Sequence, residues 1–251
     1  MSWIKDKEEA AAEILRLLYE NRMIRTFFRD KPEGWTLISG LYSPLYIQLR
    51  PLLSYPAVFD KVCRAMARML REEAPEINKI IGIAMAGVPI AAGMALAGGI
   101  PAGFTRKMEG VKSVESFRKV ITSYGEHSLL EGELSEGDDV ALVDDLVTRF
   151  DSKLVALEQV KHEARTRGVA DVRCRTVAVV LDREQGGMEA AREKDVTLLS
   201  LIRFKTTGLP LLEQVMNRHE WETILHYLED PQYYQDREAQ ERLARLAPAK
   251  T

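Results

Sequence analysis

The stretch VALVDDLVTRFDSKL, residues 140–154, decides the fold. Four apolar residues, Val140, Ala141, Leu142 and Val143, run straight into Asp144 and Asp145. A short, uninterrupted apolar run reads as a strand buried on both faces. Thr148 and Ser152 follow, and 152–167 is expected to be a helix. Outward from this point the alternation continues. Strands are expected at 79–84, 100–105, 140–143, 175–181 and 196–202, and helices at 90–97, 152–167 and 187–194. Apolar strands alternating with helices predict an α/β fold, a mostly parallel sheet flanked by helices.

The flanking regions read differently. A helix is expected over about 5–21, where Ala11, Ile14, Leu15, Leu17 and Leu18 recur at helical spacing. TLISGLYSPLYIQLR reads as a hairpin, and 56–73 as a helix stopped by Pro75. Residues 80–104 contain no charge, yet Pro89, Pro101 and six glycines divide them into strand, loop, buried helix (90–96) and strand rather than a membrane span. The polar stretch 108–128 breaks the rhythm, and a connection that long is usually functional or mobile. After about Leu212 the chain reads as a peripheral helix with a charged, fraying end. The expected organisation is one domain, 1–251: an N-terminal helix and hairpin region (1–55), an α/β core (56–212) and a helical tail (213–251).

Composition excludes several classes. Of 251 residues, 46% are apolar and 29% charged, which suits a globular chain and excludes collagen-like or disordered ones. Lys and Arg number 35 against 38 Asp and Glu, a net charge of −3. No excess of positive charge points to nucleic acid or an anionic membrane as partner. Cys63 and Cys174 form no disulfide framework and suit free thiols in a reducing, cytoplasmic compartment. The opening MSWIKDKEE is charged where an export signal needs an apolar core.

In open parallel sheets ligands sit beyond the carboxyl ends of the strands, so the residues after each strand are the candidates. Ala86 and Gly87 lie in a small-residue turn before a helix, suited to an anion or simply a tight turn. Arg106 and Lys107 end the next strand and suit phosphate groups or form a solvated charge pair. Asp144 and Asp145 can hold ribose hydroxyls or a hydrated Mg²⁺. They can also merely cap a turn, with Asp151 or Ser152 capping the helix. Arg183, in LDREQGG, can pair with a substrate carboxylate or serve as a structural arginine of a surface turn.

Together these strand ends resemble the type I phosphoribosyltransferases, and among them the orotate phosphoribosyltransferases. VALVDDLVT resembles the phosphoribosyl pyrophosphate signature, GIAMAGVPIA the pyrophosphate loop, SGLYSPLYIQLR the small N-terminal hood over the base, and LDREQGG the element after the penultimate strand. GFTRK and LLEGEL fit in order, and the similarity spans most of residues 10–205. The resemblance implies a transferase of pyrimidine biosynthesis: orotate displaces pyrophosphate from Mg²⁺-bound phosphoribosyl pyrophosphate to give orotidine 5′-monophosphate. It implies that Asp144 and Asp145 hold the ribose hydroxyls and the metal, and that Ala86 and Gly87 line the pyrophosphate. Arg106 and Lys107 neutralise that group, with Lys107 counted beside the two aspartates as catalytic. Ser152 lies in the 5′-phosphate loop, Thr148 and Arg183 contact orotate, and the chain forms a homodimer.

The chain departs from the family pattern at three places. Where the family's phosphate loop reads Thr-Thr-Gly-Gly-Ser or a close variant, this chain has Thr148, Arg149, Phe150, Asp151 and Ser152. Thr122 and Tyr124 stand where a loop lysine and histidine are expected, with Lys112, Arg118, Lys119 and His127 nearby. Ile38 replaces a common hood lysine. These departures leave two alternatives open: a phosphoribosyltransferase for another base, and a nucleotide-binding or regulatory protein that kept the fold and lost catalysis.

Overall fold

The computed structural model describes residues 2–37, 39–122 and 127–248. The chain forms two compact units, one of Met1–Lys7 with Tyr55–Arg203 and one of Glu8–Ser54 with Phe204–Thr251. The N-terminal hairpin region and the C-terminal helices, expected as separate pieces, thus share a unit.

That unit takes most of α1 (Trp3–Glu20), whose Ile14, Leu15 and Leu18 are fully buried at helical spacing. The expected hairpin forms as two short antiparallel ribbons. One joins β1 (Ile24–Thr26) to β4 (Leu45–Ile47), and the other joins β2 (Trp35–Thr36) to β3 (Tyr42–Ser43). Ile38 lies outside the described residues.

The other unit is the α/β core. After α2 (Pro56–Glu73) come β5 (Lys79–Gly82), α3 (Gly87–Gly98), β6 (Ala102–Thr105), α4 (Val114–Ile121) and β7 (Leu130–Glu131). Then follow β8 (Asp139–Val147), α5 (Asp151–Thr166), β9 (Arg173–Asp182), α6 (Gly187–Glu193) and β10 (Thr197–Arg203). The six strands lie in the order β10-β9-β8-β5-β6-β7, and every pairing is parallel except the edge pair β6–β7. The chain leaves β5 toward β6, then returns to the other side of β5 and continues outward through β8, β9 and β10. A topological switch point therefore falls between β5 and β8, and a crevice opens beyond their carboxyl ends.

Alternation along β8 divides the core. Val140 and Leu142 join Ile81, Val177 and Val179 against Ala156, Leu157 and Val160 of α5. Helices α2 and α3 pack on each other and on β5, β6, β8 and β9. No helix among the described residues is long and apolar enough to cross a membrane. One expectation fails here: α3 was expected to be buried, but Leu96 on it is 91% exposed. The helix is apolar all round because one side meets α2 and the sheet while the other presents Ala92 and Leu96 outward.

The stretch 108–128 also holds a helix that its polarity hid. Ser113 caps α4 reciprocally with Ser116, and Phe117 is buried against Met108, Leu129 and Val155. Tyr124 lies outside the described residues. In the hood-containing unit, α7 (Leu209–Leu212), α8 (Arg218–Glu229) and α9 (Arg237–Leu246) complete the chain. Two polar groups of this segment attach it to the N-terminal part of the unit. Glu220 is fully buried and accepts from the hydroxyls of Tyr19 (2.9 Å) and Thr26. The Gln235 amide bonds both the N–H (2.8 Å) and the carbonyl (3.2 Å) of Tyr42.

Candidate active site

The acidic pair lies near the carboxyl end of β8. Asp144 is buried, and its Oδ1 accepts the Asp145 N–H at 2.9 Å. Asp145 Oδ1 in turn accepts the Leu146 N–H at 2.7 Å. Burial, reinforced by the neighbouring Asp144 charge, pushes the Asp145 carboxyl up to about 7.

The small-residue turn after β5 is pressed directly onto this pair. A Cβ on Gly87 would fall 2.1 Å from the Val143 carbonyl oxygen and 3.2 Å from the Asp144 Cα. Only glycine lets the two backbones approach this closely. Across the turn, the Ala84 N–H donates to Thr105 Oγ1 at 3.1 Å, tying β5 to the end of β6. Ala86 stands at the N-cap of α3 without a side-chain cap.

A cavity of about 190 Å³ opens beside this turn. Its walls bring together Ala84, Arg106, Lys107, Lys112 and Ser152. Arg106 also pairs with Glu131 at 3.2 Å, and its carbonyl accepts the Gln159 amide at 2.8 Å. The capping role open to Asp151 or Ser152 is not realised. Phe150 is the N-cap of α5, and no side chain caps the helix. The first N–H groups of α5 therefore remain available to an anion. Phe150 itself is 2% exposed, with its ring in the hydrophobic core rather than in the crevice.

Arg183 follows β9, and its N–H donates to the Val147 carbonyl at 3.0 Å. Gly187 closes the same segment against Val147 and Thr148; a Cβ there would lie 2.9 Å from Val147 Cγ2 and 3.5 Å from the Thr148 carbonyl oxygen. Thr148 and Arg183 are thus brought to one edge of the crevice. Arg183 is buried rather than displayed on the surface of the turn.

Sequence reasoning passed over Lys153. Its side chain is 5% exposed, and its ammonium donates to Asp144 Oδ2 and the Leu146 carbonyl, both at 2.8 Å. One signal was present: a lysine in the first turn of a helix opposes the macrodipole and calls for a specific partner. Glu163 was also passed over. It accepts from Ser128 Oγ (2.8 Å), the Leu129 N–H (2.9 Å) and Arg167 Nε (2.9 Å), pinning the returning end of the 108–128 stretch to α5. Burial alone would raise its carboxyl, but these donors hold it below the usual range.

Asp144 and Asp145 offer only oxygen donors, and among the described residues no three His, Cys, Asp or Glu side chains converge as a metal cage. Such a pair fits Mg²⁺, which keeps several waters and is commonly bound by one or two carboxylates together with substrate phosphates. A larger groove, about 790 Å³, lies elsewhere, at the start of β9 along the outer side of α5. Several of its charges pair locally, Arg175 with Asp195 at 2.8 Å among them, and it lies at the opposite end of β9 from Arg183. Both cysteines are buried, and burial pushes each thiol up to about 12, which leaves them unreactive.

Over 199 residues the chain is 30% identical to an orotate phosphoribosyltransferase from Methanothermobacter thermautotrophicus, a match covering 79% of this chain and 94% of that protein. The chain belongs to the orotate phosphoribosyltransferase family. No protein-family model matches it. Among solved structures, Leishmania donovani UMP synthase superposes with a TM-score of 0.70 at 23% identity, covering 88% of this chain and 43% of that longer one. Orotate phosphoribosyltransferase from Aeropyrum pernix gives 0.57 at 23% identity, covering 82% of this chain and 98% of that one. At these identities the structures speak for the fold, and the sequence match speaks for the family.

Proposed function

We propose that the chain transfers the phosphoribosyl group of phosphoribosyl pyrophosphate to orotate, giving orotidine 5′-monophosphate and pyrophosphate. The observation that carries this reading is the crevice at the switch point. There the Gly87 backbone lies on Asp144, and Arg106, Lys107, Lys112 and Ser152 wall one cavity. Acidic groups for a sugar and basic groups for phosphates stand side by side, as a phosphorylated sugar requires.

In this reading Asp144 and Asp145 accept hydrogen bonds from the ribose hydroxyls and fix the ring. The Ala86–Gly87 backbone lines the pyrophosphate. Arg106 and Lys107 neutralise the charge that develops as the bond from the anomeric carbon to pyrophosphate breaks. Ser152 and the uncapped start of α5 receive the 5′-phosphate. Thr148 and Arg183 hold orotate, with the guanidinium on its carboxylate. Asp144 and Asp145 would hold Mg²⁺, which when bound would supply charge neutralisation for the leaving group. Catalysis here is orientation plus electrostatic stabilisation, with no protein nucleophile. A homodimer is part of the reading. It is supported by three exposed apolar side chains of the α/β core, Met85 in the turn before α3, Leu96 on α3 and Phe104 on β6. Free, buried cysteines suit a cytoplasmic location.

The test is turnover by the purified protein with orotate, phosphoribosyl pyrophosphate and Mg²⁺. Orotidine 5′-monophosphate should form at least a hundredfold faster than with an Asp144→Asn, Asp145→Asn control. Turnover equal to that control, with ligand-dependent stabilisation alone, would instead identify a binding protein.

A further inference from the structure

Lys153 is buried in the first turn of α5, against the field of that helix. An ammonium has three N–H donors. Here they meet Asp144 Oδ2 at 2.8 Å, the Leu146 carbonyl at 2.8 Å and Ser152 Oγ at 3.4 Å. Two of these acceptors have opposite requirements. Asp144 belongs to the acidic pair, while Ser152 lines the cavity shared with Arg106, Lys107 and Lys112. An unneutralised carboxylate at that depth repels any phosphate that approaches Ser152, because charges a few ångström apart interact strongly away from bulk water. The turn before the helix contains no glycine, Phe150 is committed to the core, Asp151 lines the groove on the outer side of α5, and the turn's one cation, Arg149, is exposed.

We propose that Lys153 is a positioning residue for the phosphoribosyl group: by neutralising Asp144 and orienting the Ser152 hydroxyl, it makes the Thr148–Ser152 turn able to accept a phosphate dianion. The proposal rests on the phosphoribosyl reading above and adds to it a residue outside the strand-end motifs. Lys153 touches neither the sugar nor the phosphate in this role. It acts through Asp144 and Ser152.

The sign of the effect separates this role from simple packing. Inorganic phosphate, measured by calorimetry on the full chain, probes the turn without engaging the ribose contacts. Lys153→Met, which leaves Asp144 charged and unpaired, should weaken phosphate binding at least tenfold. Asp144→Asn, which leaves the ammonium without its counter-charge, should tighten it at least threefold. The double variant Asp144→Asn, Lys153→Met removes both charges and should return to within threefold of wild type. A lysine that only packs predicts losses in all three. If Lys153→Met fails to fold, the other two variants still decide. Weaker phosphate binding by Asp144→Asn, or a double variant more than tenfold weaker than wild type, overturns the proposal. Failure of this pattern with orotate turnover intact removes only the role of Lys153. A wild-type protein with neither turnover nor phosphate binding removes the phosphoribosyl reading as well.

Discussion

Replacing Gly87 with alanine sets two known effects against each other. In a helix, alanine is favoured over glycine by about 1 kcal/mol, so Gly87→Ala in the first turn of α3 would stabilise the chain if propensity decided. The new Cβ, however, would lie 2.1 Å from the Val143 carbonyl oxygen and 3.1 Å from its carbon. These are backbone atoms of a central strand, hydrogen-bonded on both sides, and they cannot swing away as a side-chain end can. Overpacking of this kind costs about 1–3 kcal/mol, and a backbone clash belongs at the upper end. The net expectation is a loss of about 2 kcal/mol, or about 4–8 °C in Tm for a chain of this size. Gly93→Ala in the same helix supplies the control. Its Cβ would meet Cys63 Sγ at 2.4 Å and the Phe59 ring at 2.9 Å, both side chains that can yield, so its loss should be smaller. Thermal unfolding of the three proteins reads the stability, and KM for phosphoribosyl pyrophosphate reads the site, since displacing the turn from Asp144 should raise it at least tenfold. A Gly87→Ala protein that melts at or above wild type would refute the claim that this approach is closed to a Cβ.

The remaining expectations are shorter. Asp145 is held near 7 by burial and by Asp144, so its carboxylate forms in the folded chain only as pH passes that value. A sugar phosphate that needs the ionised form should therefore bind more tightly as pH rises from 6 to 8, and an Asp145→Asn protein should lose that slope; a flat wild-type profile would contradict the assignment. The sign for stability is the reverse. A folded pKa raised above the ordinary carboxylate value destabilises the ligand-free chain progressively from about pH 4 to 7. Asp145→Asn should accordingly raise Tm more at pH 8 than at pH 5. Glu163→Gln leaves Arg167 and the Leu129 N–H poorly matched and should cost about 1–3 kcal/mol. Because the Glu163 carboxyl is held low, that stabilisation is present above its unfolded pKa and lost as pH falls through the folded value, so the variant should narrow the Tm gap to wild type in acid. Leu96→Asp on the exposed face of α3 should shift a homodimer to monomer in light scattering, and an unchanged mass would remove that face from consideration.

Much of the fold was legible because its signals are local. The run before Asp144 is apolar, α2 is followed by Ala74 and Pro75, and LDREQGG supplies a turn with Gly186 at φ +97°. Helix α4 was not legible. Eight residues with one fully buried aromatic give too weak a period, and its Ser113–Ser116 cap uses serine where the recognisable box has glutamate. The C-terminal helices looked solvent-facing because half of α9 is charged. Their attachment instead runs through single polar groups, Glu220 and Gln235, whose partners Tyr19, Thr26 and Tyr42 lie far back in the chain.

The sequence by itself determined the alternation of the five parallel strands with α3, α5 and α6 and put carboxylates, cations and small-residue turns at the strand ends, because hydrophobic period and turn chemistry act between near neighbours. Only the tertiary structure decided that β8 lies between β5 and β9, that Gly87 rests on Asp144, and that Lys153 rather than solvent takes the Asp144 charge. Those contacts depend on strand register and helix rotation. Both are set by how whole surfaces pack, and a linear pattern of residues does not carry that information.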